Sequence, residues 1–231
     1  MKIKPIIKSN NKLSIISWIL EKFPQDYQQM RYVEPFVGNG SVLLNKDKSI
    51  EEVVGDEDLK VINMWRVIRD EFKLTKSRLS KIRYSEKVFN ELKSTNEKDY
   101  SKQAVLEICL RRMSKSDDKE TFDHLERKKC NQNWKCLLEN LDQISDRISN
   151  VYFLEKSSSE IISAFDSEKS FCFCSPPSKE TSNYVDICEQ LKSCRGKVVF
   201  CAENLTLYRR MFSDWKCCKN KNKKHVIWCN F

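Results

Sequence analysis

Glycine is scarce in this chain, with four in 231 residues. A residue used so sparingly has a backbone reason where it stands, which directs attention to Gly38, Gly40, Gly55 and Gly196. Long apolar runs are absent too. No stretch approaches the roughly 20 apolar residues of a membrane span, so no membrane partner is expected. The opening Met1-Lys2-Ile3-Lys4-Pro5 is basic, but no apolar core with a small-residue cleavage site follows it. The expectation is a protein that stays where it is made, in a reducing cytoplasm. Internal repeats and low-complexity linkers are likewise missing.

Cys-x-x-Cys is absent although the chain holds eleven cysteines. The count is odd, and many lie in apolar runs such as Phe171-Cys172-Phe173-Cys174, Phe200-Cys201 and Trp228-Cys229. That placement argues against a disulfide framework and for small buried hydrophobes in a reducing compartment. Cys217, Cys218, His225 and Cys229 can be drawn as a zinc cluster, but their spacing matches no familiar ligand pattern, and no metal is expected.

Positive charge is what the chain has in excess. Lys plus Arg is 42 against 33 Asp plus Glu, a net +9, so its field favours a polyanion. The charge is uneven: residues 66–135 carry 19 Lys and Arg against 12 Asp and Glu, a net +7. An ordinary solvated surface with scattered lysines is the plain alternative.

A chain of this length buries one full core with room for a small inserted subdomain. Apolar spacing predicts a helix over 13–23, stopped by Pro24, and strands at 31–37 and 52–55. A short helix is expected at 40–45 and an amphipathic one at 59–73. The stretch 74–135 is charged, lacks glycine and proline, and holds helical patches. Alternation resumes with helix 134–150, strand 151–154, helix 158–165, strand 170–174, strand 196–202, helix 204–212 and strand 225–230. The Lys-rich run 216–224 reads as a solvated hairpin or loop. Strands alternating with helices predict an α/β fold with a doubly wound, mainly parallel sheet. Residues 1–67 and 136–231 would form its cofactor domain, and 68–135 a small helical, basic insertion.

The most informative stretch is Tyr32-Val33-Glu34-Pro35-Phe36-Val37-Gly38-Asn39-Gly40-Ser41. An extended apolar segment runs into a Gly-x-Gly turn, which lets the backbone approach a ligand at the carboxyl end of a first strand. EPFVGNGS closely resembles the S-adenosylmethionine loop of the Dam-like DNA adenine-N6 methyltransferases, and the resemblance covers nearly the whole chain in the family's order. It implies a Rossmann-like methyltransferase fold, S-adenosylmethionine as cofactor and double-stranded DNA as partner. Glu34, Pro35, Phe36, Gly38, Asn39, Gly40 and Ser41 would cradle the cofactor's methionine portion. Gly55-Asp56-Glu57-Asp58-Leu59 resembles the acidic end of the second strand, making Asp56 the ribose ligand. A helix N-cap is the plain alternative for Asp56. Ser9-Asn10-Asn11-Lys12 resembles the family's N-terminal loop and places Lys12 by the catalytic pocket. Leu110-Arg111-Arg112-Met113-Ser114 resembles the start of its DNA-contacting part. Arg111, Arg112, Lys115, Arg127, Lys128 and Lys129 form the expected DNA face. Val226-Ile227-Trp228-Cys229-Asn230-Phe231 is similar to the family's last strand.

The resemblance fails where the chemistry is. The family's catalytic motif is Asp-Pro-Pro-Tyr; here it is Ser175-Pro176-Pro177-Ser178. In the family, the aspartate and the first proline's carbonyl accept the two amino hydrogens of a flipped adenine, and the tyrosine stacks on the base. Ser175 supplies no negative charge and Ser178 no ring. Tyr184 is the nearest substitute ring. Ser157 stands where the family often has an aspartate for the cofactor's adenine. Two functions follow as expectations. One is a DNA-binding family member, catalytically impaired in isolation, serving with a protein partner as a regulatory, structural or specificity subunit. The other is an active methyltransferase acting on a flipped adenine.

Overall fold

A computed structural model of the chain describes residues 2–7, 14–115, 119–124, 127–177, 184–221 and 224–231, and only the helical backbone of 127–133. It divides into two compact units: Met1–Asn11, Gly38–Asn45 and Asp58–Ser149, and Lys12–Val37, Lys46–Glu57 and Asn150–Phe231.

The second unit carries the sheet. Its strands are β1 (Arg31–Glu34), β2 (Glu51–Gly55), β3 (Val151–Leu154), β4 (Ser170–Cys174), β5 (Lys197–Glu203), β6 (Lys216–Lys219) and β7 (His225–Cys229). They stand in the order β3-β2-β1-β4-β5-β7-β6. The first five are parallel, with Val33 opposite Val53 on one side and Cys172 on the other. β7 runs antiparallel to both β5 and β6. This is an α/β fold with a mostly parallel sheet whose strand order reverses between β1 and β4, as in doubly wound folds.

Strands buried on both faces read as continuous apolar runs, and β4 (Ser-Phe-Cys-Phe-Cys) is buried throughout. On one side Val33, Cys172, Cys174, Val198, Phe200 and Trp228 meet Ile161 and Ile162 of α7 (Ser158–Phe165), Ile187 and Leu191 of α8 (Tyr184–Lys192), and Tyr208 of α9 (Thr206–Met211). Elsewhere Phe23, Tyr32, Phe171 and Phe173 form an aromatic cluster, with Phe23 edge-on to Phe171 at 4.6 Å. Gly55 permits the close approach of α7: a Cβ there would fall 2.1 Å from Ile161 Cδ1.

The other unit is helical: α2 (Leu59–Asp70), α3 (Phe72–Ser80), α4 (Glu86–Lys93), α5 (Tyr100–Met113) and α6 (Arg127–Ile148). The sheet unit also holds α1 (Ile16–Leu20). Asp58, Ser85 and Asp99 cap α2, α4 and α5 by accepting from amides two or three residues on. Met64, Trp65, Ile68, Leu79, Ile108, Leu141 and Ile144 are fully buried.

Several expected boundaries move. β1 ends at Glu34 rather than 37, because Pro35 has no amide to continue a ladder. Residues 40–45 form turns rather than a helix. There the Asn45 side-chain amide donates to the Ser41 carbonyl, the acceptor a helix would need. The helix expected at 59–73 breaks at Glu71, where α2 stops and α3 begins. Within the Lys-rich run, Lys216–Lys219 pair with β7, the hairpin of the two readings expected there. Among the described residues, no helix is long and apolar enough to cross a membrane.

Candidate cofactor and catalytic site

In an open parallel sheet, ligands bind beyond the carboxyl ends of the strands, at the point where strand order reverses. Here that point lies at the ends of β1 and β4, where Glu34 and Ser175 follow buried apolar segments. Glu34 is 3% exposed, and the Tyr32 hydroxyl donates to its Oε2 at 2.8 Å. Burial first, and then the Glu34 carboxylate, hold the Tyr32 hydroxyl's pKa well above the ordinary phenol value, so it stays a donor. Lys46 Nζ lies 4.0 Å over the Tyr32 ring and is itself buried against Glu52 at 2.5 Å. Tyr32 is thus clamped from its face and its hydroxyl aimed at Glu34.

Beyond Glu34 the chain is tied to β2, since Val37 N–H donates to the Gly55 carbonyl at 2.8 Å. Asp56 stands just past β2 and is half-buried. The N-cap of α2 is Asp58, whose Oδ1 accepts from Lys60 N–H at 3.0 Å, so the capping alternative for Asp56 falls to its neighbour. At the end of β3, Ser157 caps α7. Its hydroxyl donates to Glu160 Oε2 and accepts from the Glu160 amide, while Glu160 reaches back to the Ser157 amide. This capping box commits the Ser157 side chain to the helix it starts.

At the end of β4, Ser175 is 7% exposed and its Oγ donates to the Cys201 carbonyl of β5 at 2.7 Å. Its single proton is therefore committed to the neighbouring strand. Pro176 is buried and Pro177 exposed. Ser178 and Lys12 lie outside the described residues, as does Asn10 of the same N-terminal loop. Tyr184 does not replace the missing ring: it is 4% exposed, in the core under the sheet, with its ring edge-on to Phe36 at 6.3 Å. Stacking on a base would require it to leave that core.

The glycine turn itself belongs to the helical unit. Gly38 and Gly40 have φ of 46° and 68°, the left-handed region that favours glycine. Asn39 Oδ1 accepts from both the amide and the hydroxyl of Ser41, at 3.0 and 2.6 Å, an Asx turn between the two glycines. Trp65 of α2, which carries no motif signal in the sequence, donates its indole N–H to the Gly38 carbonyl at 3.0 Å.

Of the expected DNA face, Arg111 is placed otherwise than expected. Arg111 is 7% exposed and points inward, with its guanidinium on Glu107 and Asp58, each at 2.5 Å. Glu107 also accepts from Lys119 at 3.0 Å. Arg111 holds helices together and is not offered to a phosphate. Arg112 is partly buried, and burial lowers its pKa from the ordinary guanidinium value. Lys115 is exposed. The side chains of Arg127, Lys128 and Lys129 lie outside the described residues.

Among the described residues, no group of three or more His, Cys, Asp or Glu side chains is arranged to hold a metal. Cys217, Cys218, His225 and Cys229 are spread along the β6–β7 hairpin, with Cys217 opposite Trp228 and Cys218 opposite Ile227.

Residues 11–193 match the family described as D12 class N6 adenine-specific DNA methyltransferase. No curated protein matches the chain. Solved structures similar to it include two of the rRNA methyltransferase aviRa from Streptomyces viridochromogenes, at 1.5 and 2.4 Å. They are 10% and 11% identical and cover 98% of this chain and 86% of theirs, with TM-scores of 0.48 and 0.43.

Proposed function

This chain belongs to the D12 class N6 adenine-specific DNA methyltransferase family, and from that premise we propose that it binds S-adenosylmethionine and double-stranded DNA but transfers methyl poorly on its own. S-adenosylmethionine, when bound, supplies an electrophilic methyl group on a sulfonium. The carboxylate of Glu34, held by the Tyr32 hydroxyl at 2.8 Å, would bind the methionine portion. Asp56, which stands just past β2, would accept the ribose hydroxyls. The capping box at Ser157 leaves that position without the carboxylate the family often uses for the cofactor's adenine.

One observation carries the impaired reading: Ser175 Oγ donates to the Cys201 carbonyl at 2.7 Å. An adenine amino group is a weak nucleophile because its lone pair is conjugated into the ring. It attacks only if its hydrogens are accepted and the positive charge it develops is met by negative charge. A neutral hydroxyl tied to β5 supplies no such charge. Losing one preorganised electrostatic partner lowers turnover by about 10²–10³. Base stacking, worth roughly 1–3 kcal/mol, is missing from the same step. Tyr184 cannot supply it without leaving the core. Such a protein would act through DNA and a protein partner, as a regulatory, structural or specificity subunit.

Isothermal titration of the purified chain with S-adenosylmethionine tests the cofactor half. Saturable binding is expected, and its absence at millimolar ligand would remove it. Titration with unmodified duplex DNA tests the other half. Affinity should fall steeply between about 50 and 200 mM salt, as counterion release requires. A flat dependence would remove DNA as the partner.

A further inference from the structure

Glycine adopts the left-handed region without strain but is also free to leave it, so the surroundings of a two-glycine turn help to hold its shape. Within the helical unit the side chain of Trp65 meets both Gly38 and Gly40. Trp65 lies on α2 and is fully buried. Its indole N–H holds the Gly38 carbonyl at 3.0 Å. The far edge of the same ring occupies the space a side chain at 40 would enter: a Cβ on Gly40 would fall 2.6 Å from Trp65 Cζ2 and 2.8 Å from Cη2. The indole therefore fixes the first glycine by a hydrogen bond and the second by contact. Asn39 closes the turn from within through Ser41.

We propose that Trp65 is the positioning residue of the glycine turn, setting the backbone that S-adenosylmethionine would meet without itself being a ligand; this rests on the reading of 36–41 as the cofactor turn. Gly40 is then required by the tryptophan behind it as well as by its own φ. Cofactor affinity should depend on the indole N–H as a hydrogen-bond donor, which a merely apolar core residue would not supply.

The test uses the full chain with Trp65→Phe, which keeps a buried ring and removes the donor, beside wild type. S-adenosylmethionine affinity is read by isothermal titration, and amide hydrogen exchange by mass spectrometry without ligand. Loss of one buried hydrogen bond should weaken cofactor binding about five- to tenfold. Exchange should rise at 38–45 while α5 stays protected. A Gly40→Ala variant should lose binding more severely, and adding Trp65→Leu to it should recover part of the loss by vacating the contact. Cofactor affinity within twofold of wild type in Trp65→Phe, or unchanged exchange at 38–45, overturns the positioning role. Wild type that binds no S-adenosylmethionine overturns the cofactor reading instead, and the exchange measurement then still decides whether Trp65 holds the turn.

Discussion

The glycine turn after β1 and the serine turn after β4 each follow a strand of the same parallel sheet, and they have kept different things. Around Gly38 and Gly40 the backbone is shaped by positive φ at both glycines, the Asx turn of Asn39 and the Trp65 indole. At Ser175-Pro176-Pro177 the backbone is likewise set, by two prolines and a hydrogen bond to Cys201, but the carboxylate of the family motif is gone. A backbone that cradles a ligand depends on conformation and packing, which many side chains support together. Transfer depends on one functional group at one place. The two can therefore be lost separately, and the proposed function holds that this chain keeps the first without the second.

The largest expected effect concerns the helical unit that holds the glycine turn. Arg111→Ala should destabilise it by roughly 3–5 kcal/mol in urea unfolding, because Glu107 is left buried with much of its charge uncompensated. Lys115→Ala, at an exposed site, should change stability by about 0.5 kcal/mol or less. Equal effects would mean that Arg111 is not the structural ion pair described and would reopen it as a phosphate contact.

Next comes the serine turn. Ser175→Ala removes the donor to the Cys201 carbonyl and should cost about 1–3 kcal/mol of stability, measured the same way. S-adenosylmethionine affinity should stay within about twofold of wild type, a free-energy change well under 1 kcal/mol. A large loss of cofactor affinity would break the contrast between a binding turn and a chemical one.

High pH should act chiefly on the sheet unit. Burial pushes the thiols of Cys188, Cys194 and Cys229 in the sheet unit up to about 12, from an ordinary value of 9.0. The folded chain therefore keeps protons that the unfolded chain releases, so stability is full below pH 9 and falls as pH rises from there toward about 12. Thermal melts above pH 9 should show a declining midpoint, and hydrogen exchange should open β4, β5 and β7 before α2 and α5. In the helical unit Cys109 is raised in the same way, so some loosening there is expected too. A midpoint that holds steady up to pH 11 would contradict the buried thiols.

Much of this architecture was legible beforehand, for identifiable reasons. β3, α7 and β4 fall at the expected 151–154, 158–165 and 170–174. Buried parallel strands announce themselves as short apolar runs, and the capping box at Ser157-Glu160 marks a sharp helix start. Local spacing served less well at Glu71, where the periodic pattern continues but the helix breaks, and at α8, which was not anticipated. The site was legible as motifs and not as contacts. Trp65 meets a glycine 27 residues away, Ser175 a carbonyl 26 away, and Arg111 a carboxylate 53 away. Partners at such separations are chosen by the fold, and nothing in the spacing of Leu110-Arg111-Arg112 indicates that the first arginine turns inward.

The central claim is that the cofactor turn survives while transfer is impaired, and single-turnover methyl transfer from labelled S-adenosylmethionine to adenine in unmodified duplex DNA tests it most directly. Enzyme is kept in excess and saturated with cofactor, and wild type is compared with Ser175→Asp/Ser178→Tyr. The account predicts little or no transfer by wild type and at least a tenfold gain in the double variant, even though aspartate at 175 forfeits the bond to Cys201. Wild-type transfer on the order of 1 s⁻¹, the lower end of ordinary enzyme turnover, would contradict it.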